Sequence, residues 1–587
     1  MPGQPAEMSF FSELQRRNVL RAAAFYAASA WLLVQVATQV FPFFHIAEWV
    51  VRWIVIAVVI GFPFSVLFAW FYEITPEGLK RESEVPRADS ITRTTGKKLD
   101  RWIIATLGLA VVLLLADRFV LHSDVTNASE KSIAVLPLVN ESGDPGNEYF
   151  SDGLSEELIA ALAQIGELKV IGRSSSFRFK GHNEDLKTIG EKLGVNTLLE
   201  GTVRKQADRV RIVAELVNAA DGRQMWSRTY DRELKDVFAV QSEIAQAVAS
   251  SLKVTLLGKG AKAHQPGSTR SVEAHNAYLQ GHYYFERSDV EDWRRALVFF
   301  DDAIRLDPDY AMAYAERGVT WSWLADQTGE NVEAARLAAT RDAEKAVALD
   351  PDLAEAHAAL GWIRYFIDWN LPAAESELQL AIRLAPGSGR PKVVLAQVQT
   401  TLGNFDAAIS LARQGAEFDP LSFFAYGTLA RVLVFAGRFD EGEAAARKSA
   451  EVQPGAWASQ RAQVLAELLR GNGEAALRHA QLEPSELYRR YELALAYHTL
   501  GDRAASDAAL SEMIAKDSAV AAYQIAAVYA WRGERDAAFE WLQRCYEMRD
   551  TGLLSVRVDP TLRELHSDPR YTALLVKMGL PLPETKS

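Results

Sequence analysis

Hydrophobic residues crowd into the first 121 positions of the chain, and amphipathic patterns follow them. Residues 22–44 and 53–72 carry no Asp, Glu, Lys or Arg, while 102–121 is apolar except for Asp117 and Arg118. A helix needs about 20 apolar residues to cross a bilayer core of about 30 Å. The pattern therefore predicts a membrane anchor over residues 1–121, with three transmembrane helices at about 22–44, 53–72 and 102–121.

Basic residues predict how this anchor is oriented. Arg16, Arg17 and Arg21 precede the first predicted span, and residues 80–101 between the second and third are rich in Lys and Arg, whereas 42–51 has neither. Such short basic segments stay cytoplasmic. We therefore expect a protein of a Gram-negative inner membrane, with the lipid bilayer as one partner, a cytoplasmic N-terminus and a periplasmic C-terminal region.

Residues 131–257 alternate between strand and helix patterns. Short apolar runs predict strands over 131–138, 168–171 and 197–204, with helices over 151–163 and 184–193 between them. Two further strands, 210–217 and 224–230, flank the turn sequence NAADG, and a helix is predicted over 243–253. This order predicts a small α/β domain with a mixed sheet.

Several segments of this region carry a family resemblance. The segments IAVLPLVNESGDPGNEYFSDGLSEELIAAL, VIGRSSSFRFKG, LGVNTLLEGTVRK and VRIVAELVNAADGRQMWSRTYDREL resemble the domain related to the TolB N-terminal and flagellar FlgO folds. The resemblance implies a domain that commonly precedes tetratricopeptide repeats (TPRs) and follows a class III nucleotide cyclase or a winged-helix DNA-binding domain. Neither effector is found in this sequence. Near the N-terminus, FFSELQRRNVLRAAAFYAASAWLLVQVATQVF and GFPFSVLFAWFYEITPEGLKRE also resemble a membrane module that heads many proteobacterial TPR proteins.

A polar run inside the α/β domain is a candidate anion or ligand loop. Hydroxyls next to cations suit phosphate or sulfate, although the run has no Walker pattern. The alternative is a turn at the edge of a strand with solvated cations. The residues concerned are Ser174, Ser175, Ser176, Arg178 and Lys180.

Prolines recur at about the 34-residue period of TPRs after residue 272. Small residues recur ahead of them, as in Ala374, Ala381 and Pro386. The pattern predicts a linker at 258–271, about eight TPRs over 272–549, and a capping segment at 550–587 that covers the last repeat. Stacked TPRs form a superhelix whose concave surface is lined by the first helix of each repeat.

Aromatic residues and one arginine on predicted first helices are candidates for a groove that binds a protein or peptide. Such side chains provide large contact areas in interfaces. The alternative is that they pack between repeats. The candidates are Tyr283, Tyr314, Arg317, Trp321, Trp362 and Tyr365.

Composition and motif content narrow the function further. The net charge of -12 and the isoelectric point near 5.5 argue against a nucleic-acid partner, because phosphate binding requires a concentrated basic surface. The single cysteine, Cys545, excludes an internal disulfide. Zincin, phosphate-loop, nucleophile-elbow and cysteine–histidine patterns are not found, so no catalytic residue, cofactor or metal is predicted.

Together these patterns predict a multidomain fold: transmembrane α-helices, a small α/β domain with a mixed sheet, and a C-terminal all-α TPR superhelix. The first functional hypothesis is a non-catalytic, membrane-tethered periplasmic scaffold that binds proteins or peptides, with a second copy of the chain, in a homo-oligomer, as a further candidate partner. The alternative is a signal-transduction sensor that binds a small ligand in the α/β domain.

Overall fold

A computed structural model describes most of the chain. The described residues are 131–252, 267, 269–287, 289–328, 331–454 and 457–582, together with short pieces between 23 and 81. The chain divides into two compact units, Met1–Ala128 and Ser129–Ser587.

The described pieces of the first unit are short. Helical residues occur within 23–34 and 55–64, and the hydroxyl of Tyr26 donates to the carbonyl of Val58 at 2.9 Å. Two strands, β1 (Tyr72–Thr75) and β2 (Gly78–Arg81), form an antiparallel hairpin.

The prediction of transmembrane helices is wrong for the described residues. None of the helices that they form is both long and apolar enough to cross a bilayer, which requires about 20 apolar residues in one helix. This corrects the transmembrane part of the predicted fold class. It also corrects the inner-membrane location with a periplasmic C-terminal region, which depended on those spans. Much of 22–44 and 53–72, and all of 102–121, lie outside the described residues.

The second unit begins with a mixed sheet, and each strand and helix predicted here has a counterpart whose ends differ from the prediction by up to six residues. The elements of this region are β3 (Ser132–Val135), β4 (Val139–Asn140), α1 (Glu148–Ala163), β5 (Lys169–Val170), α2 (Arg173–Ser176), α3 (Leu186–Leu193), β6 (Thr197–Gln206), β7 (Arg209–Asn218), β8 (Gln224–Glu233) and α4 (Val237–Ser251). The sheet order is β5-β3-β6-β7-β8, with β4 paired to β6. Strand β3 is parallel to β5 and β6, whereas β6, β7 and β8 are antiparallel.

Alternation along β3 explains why helices cover both faces of the sheet. Ile133 and Val135 pack with Leu158 of α1 and Ile244 of α4 on one face. Ala134 packs on the other face with residues of α3. Successive residues of a strand point to opposite faces, so a strand buried on both faces is apolar throughout.

Eight consecutive helix pairs follow in the described residues from Val272, where about eight repeats were expected. The pairs are α5 (Val272–Phe285) with α6 (Val290–Leu306), α7 (Ala311–Thr328) with α8 (Val332–Leu349), α9 (Ala354–Phe366) with α10 (Leu371–Leu384), α11 (Arg390–Thr401) with α12 (Phe405–Phe418), α13 (Phe423–Phe435) with α14 (Phe439–Val452), α15 (Trp457–Leu469) with α16 (Gly473–Gln481), α17 (Glu486–Thr499) with α18 (Arg503–Asp517), and α19 (Ala522–Trp531) with α20 (Arg535–Met548).

Small residues let the two helices of a pair approach closely. A Cβ placed on Gly361 of α9 would lie 2.7 Å from Leu378 Cγ of α10, which is closer than packed atoms tolerate. Ala374 and Ala381 of α10 are fully buried against the same pair. These are the positions at which the TPR pattern requires small side chains.

The segment after the last pair, which we name the C-terminal strap (residues 549–582), folds as two 3-10 turns, Thr551–Ser555 and Pro560–Leu565, and a helix, α21 (Pro569–Lys577). Pro560–Leu565 packs on α19 of the last pair. Leu553 and Leu554 belong to one apolar cluster with Trp362 and Val394 of the third and fourth pairs. The strap therefore connects the last pair to the third and fourth pairs, in addition to covering the last repeat.

Candidate binding site at the sheet domain and the inner repeat helices

The α/β domain packs on the repeats through a buried group of charges that we name the charged junction: Arg173, Glu156, His282 and Glu316. His282 of α5 lies between two carboxylates, with Nε2 on Glu156 of α1 and Nδ1 at 2.5 Å from Glu316 of α7. Arg173 Nε lies 2.7 Å from Glu156, and the hydroxyl of Tyr278 donates to Glu316 at 3.1 Å. One imidazole thereby links the α/β domain to the first two helix pairs.

The protonation states in the charged junction follow from this pairing. Burial opposes the charged form of His282, but the two carboxylates outweigh burial and hold its pKa well above the usual value. Burial would raise the pKa of Glu156, but His282 and Arg173 outweigh it and lower this pKa to about 2. Both groups are therefore charged at neutral pH.

A second contact between the α/β domain and the repeats lies at the end of α12, and we name it the loop contact. The carboxylate of Asp419 accepts from the hydroxyls of Ser174 and Ser175 and, at 2.9 Å, from the backbone N–H of Ser175. The hydroxyl of Ser175 accepts the N–H of Leu421 at 2.7 Å, and the N–H of Gly172 donates to the carbonyl of Phe418 at 2.8 Å. Burial raises the pKa of Asp419, and the serine donors oppose that rise.

A third contact depends on the absence of a side chain. The N–H of Gly387 donates to the carbonyl of Ala163, the last residue of α1, at 2.9 Å. A Cβ on Gly387 would lie 2.8 Å from the Cα and carbonyl oxygen of Ala163. Only glycine permits so close a backbone approach.

The predicted anion or ligand loop lies at these contacts. Ser174 and Ser175 bind an anion of the same chain, the carboxylate of Asp419. Lys180 pairs with Asp152 at 2.6 Å and with Glu148 at 2.8 Å. Ser176 is buried and Arg178 is exposed. A free ligand at this loop stays a prediction, and it would have to compete with Asp419.

A cavity of about 150 Å³, which we name the groove cavity, opens beside the charged junction. Most of its wall is formed by α7, α9 and α11, the first helices of three successive pairs, and residues of α5 and α10 contribute to it. Most lining residues are small or apolar, and Glu316, Glu355 and Arg390 are the charged ones. Glu316 therefore belongs to both the charged junction and the groove cavity. The apolar lining includes Phe285, Ala315, Val319, Ala354, Ala358, Ala359, Trp362, Leu378, Ala381, Pro391 and Val394.

Of the predicted groove residues, Trp362 lines the groove cavity while its indole N–H donates to Ser322 at 3.0 Å. Tyr365 is buried and bonded to Thr401 at 2.9 Å. Arg317 makes two contacts with the buried Asp342, at 2.7 and 2.9 Å. Trp362 and Tyr365 thus bond to neighbouring repeats, whereas Arg317 bonds to the second helix of its own repeat.

The other three predicted groove residues are half-buried. Tyr314 lies under the guanidinium of Arg317, at 5.3 Å from the ring centroid, and Tyr283 packs edge-on to Tyr284. Trp321 packs at the border of the apolar cluster that contains the C-terminal strap. Their role in binding a partner stays a prediction.

The sequence reasoning missed Glu316, Glu355 and Asp419. Glu316 follows Tyr314 by two positions and stands on the helix that was predicted to line the groove, so its position could have been noted. Asp419 directly precedes Pro420, one of the prolines that recur at the repeat period. Its partner in the α/β domain is more than 240 residues away in the chain, so nothing local signals the contact.

No family model matches the chain. A curated relative from Rhizobium meliloti (strain 1021), named "Putative adenylate cyclase 3", is 34% identical over 191 residues, which are 32% of this chain and 32% of the relative. The chain thus spans about a third of the length of that relative. The name of this relative contradicts the prediction that the chain is not an enzyme. That prediction depended on a search for known catalytic motifs, and such a search detects only the patterns that are sought.

Solved structures of repeat proteins are also similar in part. One is PilF of Pseudomonas aeruginosa, at 20% identity and a TM-score of 0.31 over 39% of this chain and 97% of that one. Another is a tetratricopeptide repeat protein from Parabacteroides merdae, at 14% identity and a TM-score of 0.32 over 45% and 99% of the two chains. The assignment of the helix pairs as TPRs rests on their own period and packing.

Proposed function

We propose that the chain is a protein-binding TPR scaffold and that the groove cavity holds one side chain of a partner peptide. The observation that supports this proposal is the cavity of about 150 Å³ on three successive first helices, lined by Ala315, Ala354 and Ala358. Cavities of about this size hold a molecule as large as benzene. Apolar pockets with a few charged groups are typical ligand sites.

A pocket-filling substitution tests this proposal. Peptides would first be selected on the full chain from a displayed random library, and their affinities measured by fluorescence anisotropy. Ala358→Trp fills the groove cavity and should weaken binding about tenfold or more, because the peptide side chain loses its buried surface.

The matched control is Ala407→Trp, at an exposed position of α12. It should leave the affinity unchanged. Equal affinities for the original chain and for Ala358→Trp would contradict a binding role of the groove cavity.

The relative named as an adenylate cyclase favours a second proposal, a part in cyclic-AMP signalling through formation of cyclic AMP from ATP. The test expresses the full chain in a host without its own adenylate cyclase. A rise in cellular cyclic AMP would support this activity. Unchanged cyclic AMP at a verified protein level would contradict it.

A further inference from the structure

The groove cavity has an apolar body and a negatively charged end. The methyl groups of Ala315, Ala354 and Ala358 and the indole of Trp362 surround the space, and Glu316 and Glu355 contribute its carboxylates. An unbranched alkyl stem matches this lining, because it buries apolar surface with no polar group to satisfy.

The two carboxylates differ in how they are paired. Glu316 uses one oxygen to accept from Tyr278 and the other to meet His282. Within the part of the chain that the structure describes, no lysine, arginine or histidine pairs with Glu355. Burial raises the pKa of Glu355, and the nearby Glu316 raises it further.

Acidic groups outnumber basic ones around this end of the cavity. Two cations pair with three carboxylates here: Arg173 pairs with Glu156 and Glu286, and His282 pairs with Glu156 and Glu316. Glu355 adds a further carboxylate, whereas Arg390, the remaining charged residue of the lining, is exposed. A cation placed beside Glu355 would compensate this excess, and an anionic ligand would be repelled.

We propose that the groove cavity binds a primary ammonium group on an unbranched apolar stem, with Glu355 pairing the ammonium and Trp362 covering the stem. This inference rests on the proposed function and names the chemistry of its ligand. The same chemistry has two sources, a lysine side chain of a peptide and a free alkylamine. A peptide lysine is the ligand that we infer, because the cavity lies on the surface where TPRs receive peptides.

Three small probes separate charge, stem and peptide bonds. N-acetyl-lysine N-methylamide carries all three, N-acetyl-norleucine N-methylamide lacks the charge, and butylammonium lacks the peptide bonds. Titration calorimetry on the full chain should show the lysine probe binding about tenfold more tightly than the norleucine probe, because a charge-assisted contact is lost. Tighter binding of butylammonium than of the lysine probe would identify a free amine as the ligand and overturn the peptide assignment.

Glu355→Gln tests the pairing while preserving the shape of the side chain. It should remove the preference for lysine over norleucine, whereas the matched control Glu474→Gln, at an exposed position of α16, should preserve it. An unchanged preference in Glu355→Gln would overturn the proposal.

The failure of this inference can be distinguished from failure of the proposed function. Library peptides that lose affinity with Ala358→Trp but are indifferent to Glu355→Gln would preserve peptide binding and overturn the ammonium assignment. Peptides indifferent to both substitutions would contradict peptide binding at the groove cavity itself.

Discussion

At the scale of residues, His282 is the side chain on which the charged junction depends. It pairs with Glu156 of the α/β domain and with Glu316 of the repeats, and all three side chains are largely buried. Removing one partner of a buried ion pair leaves a charge without compensation, which costs more than the pair contributes. The charged imidazole therefore stabilises this contact between the α/β domain and the repeats.

The first prediction concerns His282→Gln. At pH 6 the substitution should lower the free energy of unfolding by about 3 kcal/mol, because the buried carboxylate of Glu316 loses its cation and Glu156 keeps only Arg173. The pKa of His282 is raised in the folded state. The contribution of His282 to the free energy of unfolding is therefore complete below its unfolded-state pKa of 6.5, and it is lost as pH rises toward its folded-state pKa.

Urea unfolding between pH 5 and 9 checks this prediction. The difference between the original chain and His282→Gln should shrink above pH 6.5. Glu156 stays ionised over this range, because its pKa is lowered from 4.5 to about 2. Its contribution to the free energy of unfolding is lost only as pH falls below 4.5 toward about 2. His182→Gln, at an exposed position, is the control; a pH-independent difference for His282→Gln would contradict the assignment.

At the scale of elements, the loop contact shows how the short helix α2 fits against the segment that follows α12. Residues 172–175 present two hydroxyls and backbone N–H groups, and residues 418–421 present carbonyl and carboxylate oxygens. Five donors, the two serine hydroxyls and the N–H groups of Gly172, Ser175 and Leu421, therefore each find an acceptor in the other segment. This complementarity explains how a buried carboxylate is tolerated at Asp419.

The second prediction compares Asp419→Asn with Asp419→Ala. Alanine removes every acceptor of the side chain and should weaken the contact by about 2 kcal/mol, whereas asparagine preserves one acceptor and should cost less. Hydrogen exchange of the Ser175 and Leu421 amides measures the effect, since both amides are bonded in the loop contact. Faster exchange of these amides in the order original, asparagine, alanine is expected; equal rates would show that Asp419 does not hold the contact.

The sequence predicted elements well and contacts between them poorly. Strands such as β6 and β7 follow from alternation along the chain, and α3 ends at Gly194, which adopts the left-handed conformation that its position requires. The pairs His282–Glu156 and Ser175–Asp419 join residues 126 and 244 positions apart. Periodicity describes which face of an element is buried, and it carries no information about which distant element covers that face.

At the scale of the whole second unit, the C-terminal strap connects repeats that are far apart in sequence. Arg557 donates to the carbonyl of Leu402 at 2.6 Å, and Arg336 donates to the carbonyl of Arg549 at 3.0 Å. The buried carboxylate of Asp559 accepts from the hydroxyl of Tyr523 at 2.9 Å. In a solenoid each repeat contacts only its neighbours. The contacts of the strap therefore add cooperativity between distant repeats that a simple array lacks.

The last prediction tests this closure by shortening one strap residue. Leu553 is fully buried among side chains of the third, fourth and last helix pairs, so Leu553→Ala should lower the free energy of unfolding by about 2–5 kcal/mol. Leu482→Ala is the matched control, because Leu482 is 67% exposed and the same atoms are removed there. If the strap holds the array closed, amides of both α9 and α19 should exchange faster in Leu553→Ala, although they are far apart in the chain. Faster exchange confined to α19 would mean that the strap only caps the last repeat.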